Sequence, residues 1–265
     1  MSLKFCSLSS GSSGNCYYVT DGETSLLVDA GISGKRILEG IEKIDEDKDD
    51  LAAILVTHEH IDHVKSLKVM AKKVPGLMIY ANDETWPFIE EKVDEDRRCT
   101  FVPGEVFNIG NINIRSFRTS HDAACSVGFS FYDDERKISI VTDTGYIPEN
   151  IYEEIKDSDI LVIEANHDVN VLQMCSYPYL TKRRIAGDEG HLSNEACGNC
   201  IARLVKEVPK PRQILLAHLS KENNSPDLAH LTIRNILEEE SLKLGEDLQM
   251  DVITRDKVSP IYVVK

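Results

Sequence analysis

The chain has 265 residues, of which 42% are hydrophobic and 28% are charged, and its formal net charge at pH 7 is −15. These values are typical of a globular protein and argue against one that coats nucleic acid nonspecifically. A chain this long can bury enough surface to fold without structural metals, so any metal site is free to serve a function.

The sequence also gives expectations about cellular location. No apolar run approaches the ~20 residues that a membrane helix needs, and no basic segment followed by an apolar stretch opens the chain. The seven cysteines are odd in number and scattered, which predicts free thiols in a cytoplasm. We therefore expect a cytoplasmic protein that does not enter a membrane. Its oligomeric state cannot be read from the sequence.

In chain order, short apolar runs bounded by turn residues predict strands over 3–8, 16–20, 25–29, 52–57, 77–80, 100–102, 105–109, 112–118, 126–132, 137–142, 160–164, 213–217 and 250–253. Helical periodicity is found over 34–44, 62–73, 84–92, 149–155, 179–185, 194–208 and 226–240. This order predicts an α+β fold of two mostly antiparallel sheets packed together, with helices outside. We expect a single domain over 1–265.

The segment VTHEHIDHV, residues 56–64, spans the junction between the predicted strand 52–57 and the predicted helix 62–73. His58 and His60 alternate in extended backbone, so both rings can face one point, while Asp62 and His63 can reach a second point nearby. Imidazole and carboxylate groups suit zinc, manganese or iron. The alternative is that Asp62 only caps the helix and the histidines are solvated. Three histidines within six residues favour the metal site.

Further polar residues follow distant strands. His121 lies in RTSHDAACS, Asp143 in VTDTGY and His218 in LLAHLS. Each could be an ordinary polar group at a strand end. Together with the first motif they predict a site for two metals, with Asp143 placed to bridge them.

The ordered pattern HxHxDH, His121, Asp143 and His218 resembles the metallo-β-lactamase superfamily, and Asp29 in SLLVDAG resembles its supporting aspartate. The resemblance implies a four-layer αββα sandwich. It also implies that His58, His60 and His121 hold one metal, that Asp62, His63 and His218 hold the other, and that Asp143 bridges them. The implied cofactors are two divalent ions, Zn²⁺ or Mn²⁺, with water activated between them as nucleophile and Asp62 orienting it.

Five segments are similar to the YycJ/WalJ group of that superfamily: SLSSGSSGNCYYV, EANHD, YPYLTKRRI, GHLSN and AHLSKENNSP. The group consists of bacterial, cytoplasmic proteins regarded as nucleases that degrade DNA from a 5′ end. The resemblance therefore implies a metal-dependent exodeoxyribonuclease. Only about 75 residues separate Asp143 from His218, so we expect no inserted cap domain.

His191 in GHLSN and Glu164 at the end of ILVIE are the expected acid–base pair. Related nucleases of the superfamily have a histidine at the same place in the order of motifs along the chain, beside an acidic residue, and it assists proton transfer. We hypothesise that His191, held by Glu164, protonates the leaving oxygen or binds the phosphate. The alternative is that His191 only precedes the helix 194–208.

Substrate contacts are expected from three places. Backbone N–H groups of the serine-rich loop could cradle a phosphate, and the residues assigned there are Ser12, Ser13 and Asn15. Lys182 and Arg183, with Tyr177 and Tyr179, offer cations and stacking faces, although a solvated helix face is an equal alternative. Asn166, His167 and Asp168 could line the same cleft, and Ser193 and Asn194 are also assigned to substrate binding.

Two other functions remain open at this point. One is a small-molecule hydrolase of the same fold acting on a thioester, lactone or cyclic nucleotide, which the acidic composition slightly favours. The other is a metal-binding regulatory or scaffold protein without turnover, against which the intact ligand pattern argues. Cys197 and Cys200 form a lone CxxC within a helical pattern, which is more typical of core than of a redox or metal site.

Overall fold

A computed structural model of the chain describes residues 2–133 and 135–264. The strands in this part of the chain are β1 (Lys4–Ser9), β2 (Cys16–Thr20), β3 (Ser25–Val28), β4 (Leu51–Leu55), β5 (Met78–Asn82), β6 (Arg98–Phe101), β7 (Val106–Ile109), β8 (Ile112–Arg118), β9 (Val127–Tyr132), β10 (Lys137–Val141), β11 (Ile160–Glu164), β12 (Gln213–Ala217), β13 (Gln249–Val252) and β14 (Tyr262–Val263).

The α-helices are α1 (Gly34–Lys43), α2 (Ile61–Val64), α3 (Leu67–Lys73), α4 (Trp86–Ile89), α5 (Glu149–Ile155), α6 (Val169–Met174), α7 (Tyr179–Ile185), α8 (Asn194–Glu207) and α9 (Pro226–Glu239). Ser193 and Ser225 begin the two longest, α8 and α9, by accepting hydrogen bonds from Ala196 N and Leu228 N. None of the helices described is both long and apolar enough to cross a membrane.

The strands form two seven-stranded sheets in the orders β14-β1-β2-β3-β4-β5-β6 and β13-β12-β11-β10-β9-β8-β7. Each sheet has three antiparallel and three parallel pairs. The expected two-sheet fold is confirmed, but its parallel content is higher than the sequence suggested. Helices follow β3, β4, β10, β11 and β12, and such crossovers allow neighbouring strands to run parallel.

Three hydrophobic clusters define four layers. One lies between the sheets, where strand residues alternate inward, as Leu26 and Val28 do in β3. The second packs the opposite face of the first sheet against α1, α3 and α4, with Ile37 and Met70 among its members. The third packs the second sheet against α5, α8 and α9. The order is therefore helix, sheet, sheet, helix.

The predicted helix 62–73 is wrong in one respect, because the chain breaks into α2 and α3 around Ser66. The Ser66 N–H donates to Ala30 O, and the Asp62 carbonyl that it would meet in a continuous helix accepts from Asn15 N instead. The short elements α6 and β14 were not predicted, since six and two residues carry too little periodicity.

Strand ends bring the polar motifs to one edge of both sheets. Asp29 follows β3 and His58 follows β4, and these two strands are parallel. Asp143, Glu164 and His218 follow or end the parallel strands β10, β11 and β12. Asp29, Asp143 and His218 have positive φ angles of 63°, 56° and 55°. This conformation is sparsely populated by residues other than glycine, and it turns each chain sharply at the site.

Candidate metal centre

His58, His60 and His121 form an imidazole triad. One nitrogen from each ring lies within 4.8 Å of the others, and the ring centroids of His121 lie 5.1 Å from those of both His58 and His60. His58 and His121 are buried, whereas His60 is half-buried. The strand-to-helix loop and the loop after β8 thus meet as the sequence predicts.

A second group consists of Asp62, His63 and His218, again within 4.8 Å of one another. Asp143 lies between the two groups. Its Oδ1 is 3.7 Å from His121 Nε2 and 3.5 Å from His218 Nε2, and its Oδ2 is 3.5 Å from His63 Nε2. The structure therefore brings all seven predicted ligands together, with the Asp143 carboxylate facing both groups.

Asp29 and Thr57 orient the rings of His58 and His63. Asp29 Oδ2 lies 2.7 Å from His63 Nδ1, and Asp29 Oδ1 accepts from Thr57 N at 2.9 Å. The Thr57 hydroxyl lies 2.9 Å from Asp29 Oδ2 and 3.0 Å from His58 Nδ1. Since a carboxylate only accepts, Nδ1–H of His63 donates to it and Nε2 turns toward Asp143. Thr57 was missed by the sequence reasoning, although it immediately precedes the histidines.

Glu164 orients the imidazole rings of His218 and His191. Its Oε1 lies 2.7 Å from His218 Nδ1 and 2.8 Å from His191 Nδ1. Its Oε2 accepts from the backbone N–H groups of Thr144 and Leu192 at 3.0 and 3.2 Å. The fully buried carboxylate thus has four donors, and both rings present Nε2 away from it.

Three polar atoms at the centre have no hydrogen-bond partner among the residues that the structure describes, namely His58 Nε2, Asp143 Oδ2 and His218 Nε2. Buried polar atoms without partners are costly and therefore rare. Imidazole nitrogens with Nδ1 held by an acceptor and Nε2 free are arranged as metal-binding histidines are. The donor set of nitrogens and carboxylate oxygens fits a divalent metal.

Burial and the neighbouring charges shift the pKa values of the centre in opposite directions. Burial lowers the pKa of His58 well below its usual value, and the neighbouring rings of His63 and His121 lower it further. Burial alone would also lower the pKa of His218, but Asp143, Asp62 and Glu164 raise it to about 10. Burial would raise the pKa of Glu164, yet His191 and His218 hold it below its usual range. These shifts show that carboxylates and imidazoles interact strongly within one buried cluster.

Glu59 joins the two loops of the imidazole triad, a role that the sequence did not reveal. Its Oε1 accepts a hydrogen bond from Ala124 N at 2.8 Å. Ala124 lies three residues after His121, so this bond fixes the loop of His121 against the loop of His58 and His60.

The serine-rich loop is split between surface and core. Ser12 and Ser13 are exposed, as an open phosphate cradle requires. Asn15 is fully buried, and its Oδ1 accepts from Gly11 N, while its Nδ2 lies 3.2 Å from His63 Nε2. Asn15 therefore lies beside the metal centre and holds the loop.

The other residues assigned to the cleft hold loops together. Asn166 is buried, and its Nδ2 donates to His218 O at 2.9 Å. Asn194 is buried and pairs with Asn224, and Ser193 caps α8. The Asn166 contact holds the segment of His218, and the contacts of Asn194 and Ser193 hold the segment that follows His191. Because Asn166 and Asn194 are buried, they are the least able of these residues to contact a substrate directly.

Lys182 and Arg183 lie on α7 in different environments. Lys182 is half-buried and donates to Gln173 O, whereas Arg183 is exposed and its guanidinium lies 5.9 Å from the ring centroid of Tyr179. Tyr179 is 72% exposed, while Tyr177 is half-buried. An exposed Tyr–Arg pair matches the stacking surface that the sequence suggested.

The CxxC pair is part of the core. Cys197 is fully buried and Cys200 packs against the same cluster. Burial raises the pKa of the Cys197 thiol well above its usual value and that of Cys200 to about 12, so neither forms a thiolate easily.

The fold and the seven-residue centre are those of a metallohydrolase, and comparisons with known proteins narrow the class. The sequence profile of the beta-lactamase superfamily domain matches residues 24–219. The exodeoxyribonuclease WalJ of Streptococcus pneumoniae is 39% identical over 264 residues, covering 98% of this chain and 97% of that protein. The exodeoxyribonuclease YycJ of Bacillus anthracis is 40% identical over 253 residues, covering 94% and 95%. The chain belongs to the metallo-β-lactamase superfamily and, within it, to the family of these two proteins.

A solved structure agrees on the fold. The metallo-β-lactamase fold protein YhfI from Bacillus subtilis superposes with a TM-score of 0.72 at 16% identity, covering 97% of this chain and 99% of that one. At this identity the likeness concerns the fold alone.

Proposed function

We propose that the protein is a metal-dependent exodeoxyribonuclease that hydrolyses DNA from a 5′ end. The names of its relatives at 39–40% identity over nearly the full chain support this substrate class. The observation within the molecule that carries the proposal is the Glu164 carboxylate, which holds both His218 and His191.

Two divalent ions, Zn²⁺ or Mn²⁺, are the proposed cofactors. His58, His60 and His121 would hold one, Asp62, His63 and His218 the other, and Asp143 both. When bound, such ions neutralise phosphoryl oxygens and lower the pKa of water. Asp62 is half-buried with one carboxylate oxygen 3.5 Å from His63 Nε2, and we assign it to orient the attacking water.

His191 is the proposed acid. Its Nδ1–H donates to Glu164, which leaves Nε2 directed away from the carboxylate, and the imidazolium form of the ring can pass its Nε2 proton to the leaving alkoxide oxygen. The side chain is 13% exposed, against 1% for His218, and can therefore reach a substrate. A sulfur leaving group, as in a thioester, has much less need of an acid, which favours the phosphodiester.

Substrate access depends on the segment between Asp143 and His218. Between Asp143 and His218 the described chain contains α5, β11, α6, α7, α8 and β12, and this supports a single domain without an inserted cap. DNA would then rest on short loops and on the exposed Tyr179 and Arg183 of α7. A cytoplasmic location remains a prediction.

A substrate panel tests the function. Single-stranded DNA, duplex DNA, RNA, a cyclic nucleotide and a thioester are incubated with the protein and Mn²⁺ or Zn²⁺, with His60→Ala as control. We expect metal-dependent release of nucleotides from DNA by the wild type only. Turnover confined to the thioester or cyclic nucleotide would instead establish the small-molecule hydrolase.

A further inference from the structure

A cavity of about 340 Å³ lies beside the metal centre and is not used by the chemistry proposed above. It is bounded by the loop after β12, the start of α9 and the segment after β13. The residues of its wall that matter here are Ser10, Leu219, Ser220, Lys221, Ser225 and Arg255.

The cavity is joined to the centre through two short contacts. The Ser10 hydroxyl accepts a hydrogen bond from the backbone N–H of His218 at 2.9 Å. Leu219, the next residue, accepts from Arg255 Nη2 at 3.0 Å through its carbonyl oxygen. One wall of the cavity is therefore the same stretch of chain that presents His218 to the centre.

Two cations line this cavity in a chain of net charge −15. Neither Lys221 nor Arg255 forms an ion pair with any residue in the described ranges. Among the residues described, the Arg255 guanidinium donates one hydrogen bond, so most of its five N–H donors remain available. Asp256 also lines the cavity, but it is exposed, and the sum of the lining charges is positive.

A hydroxyl donor in the wall is also unused. Ser220 is 8% exposed, and its oxygen accepts from both the backbone N–H and the Nδ2 of Asn223 at 3.2 and 3.4 Å. Its own hydrogen has no acceptor among the residues described, since no further bond of this hydroxyl is found there. A buried donor without an acceptor is what an anion would satisfy.

The serine-rich loop closes one side of the cavity. A Cβ placed on Gly11 would lie 3.3 Å from Leu219 O and 3.6 Å from Arg255 Nε. The backbone of this loop thus lies against the guanidinium, and the exposed Ser12 and Ser13 follow directly. By contrast, five carboxylates and three lysines line the larger cavity between α1 and α3, about 770 Å³, so its lining is net negative and favours a phosphate less.

We infer that the cavity beside His218 is a subsite that binds a phosphate group of the substrate through Arg255, Lys221 and Ser220. This rests on the proposed function. The phosphate could be the terminal phosphomonoester of a strand end or an internal phosphodiester of the chain, because both offer the same oxygens to a guanidinium. Neither cation was among the residues that the sequence assigned to substrate.

The test uses Lys221→Gln and Arg255→Gln, with Lys72→Gln on α3 as a charge-matched control. Lys221 is exposed, and its side chain forms no hydrogen bond or ion pair with the residues described, so we expect its variant to fold even if Arg255→Gln does not. The kcat/KM is measured on 5′-phosphorylated and 5′-hydroxyl DNA. We expect each subsite variant to lower kcat/KM by roughly tenfold or more, as loss of one charge-assisted hydrogen bond would. An effect confined to 5′-phosphorylated DNA identifies the terminal phosphate, and an equal effect on both identifies an internal one.

Inorganic phosphate binding to the metal-free protein, followed by NMR chemical shifts, separates this inference from the function. If no DNA is degraded but phosphate shifts the Ser220 and Arg255 amides in the wild type and not in the two variants, the function fails and the subsite stands. If DNA is degraded and both subsite variants behave as Lys72→Gln does, the subsite is overturned and the function stands.

Discussion

Glu164 Oε1 lies 2.7 Å from Nδ1 of His218, and this contact fixes which nitrogen of the ring faces the centre. Because the carboxylate is ionised and accepts, Nδ1 carries the hydrogen and Nε2 is left as a lone-pair donor. The same oxygen also accepts from His191, so one buried residue couples a proposed ligand to the proposed acid.

Replacement of this carboxylate tests the coupling. Glu164→Gln retains the volume but puts an amide N–H among four hydrogen-bond donors. We expect metal affinity or activity to fall by about 10–100-fold, as for other groups that orient metal-binding histidines. Metal content by mass spectrometry and nucleotide release measure the two effects. The exposed Glu91→Gln is the control. Wild-type values for Glu164→Gln would contradict the role.

Asp29 supports the other side of the centre. In Asp29→Asn only one of the two side-chain positions can still accept, so either His63 Nδ1–H or Thr57 N–H loses its acceptor. We expect metal affinity to fall by about 10–100-fold. Thr57→Ser keeps the hydroxyl and serves as the control with near-normal metal binding. Competition with a chromogenic chelator measures the metal affinities of Asp29→Asn and Thr57→Ser. Equal affinities of the two variants would show that Asp29 does not support the metal centre.

Metal removal is expected to destabilise the fold. A ligand present at 100 times its Kd stabilises the native state by about 2.7 kcal/mol. For a chain of this size that corresponds to a fall in Tm of about 5–10 °C after chelation. Calorimetry with and without chelator measures it. His60→Ala should show a smaller difference, and an unchanged Tm in the wild type would argue against a bound metal.

His167 is expected to make the free energy of unfolding depend on pH. It is 2% exposed and its Nδ1 has no partner, and burial lowers its pKa to about 4. The pKa of His167 in the folded protein is below the unfolded value of 6.5. Between these two pH values the imidazole is therefore protonated in the unfolded chain and neutral in the folded protein. This contribution to stability is present above pH 6.5 and is lost as the pH falls toward 4.

We therefore expect the free energy of unfolding of the wild type to fall more steeply than that of His167→Gln between pH 6.5 and 4. The difference approaches about 1.4 kcal/mol per pH unit. Urea denaturation at several pH values measures it, with His230→Gln on α9 as control. Parallel curves for wild type and His167→Gln would show that His167 does not contribute.

The exposed face of α7 is expected to bind single strands. Tyr179→Ala removes a stacking surface whose loss costs about 1–3 kcal/mol per base, or about fivefold or more in Kd. Fluorescence anisotropy with single-stranded DNA in chelator measures binding without cleavage. Phe88→Ala, which removes another exposed ring on α4, should leave the Kd unchanged. Equal Kd values for Tyr179→Ala and Phe88→Ala would indicate that the exposed face of α7 is only solvated and does not bind DNA.

Much of the fold could be predicted because each strand is a short apolar run with a clear end. Bounds such as Cys16–Thr20 and Ile160–Glu164 follow from the residues alone. The site residues could be found because histidine and aspartate directly after buried strands are unusual. What these patterns cannot reveal is long-range contact. Thr57 oriented between two rings, Glu59 bonded to Ala124, and Arg255 beside Gly11 each depend on segments that meet only in the folded chain.

The most direct test follows nucleotide release from DNA labelled at its 5′ or its 3′ end, with metal, for the wild type and His60→Ala. We expect early release of the 5′ label as a mononucleotide and stepwise shortening of the 3′-labelled strand, and we expect neither with chelator nor with His60→Ala. Absence of metal-dependent release from either label, by a protein that contains its metal, would contradict the proposed function.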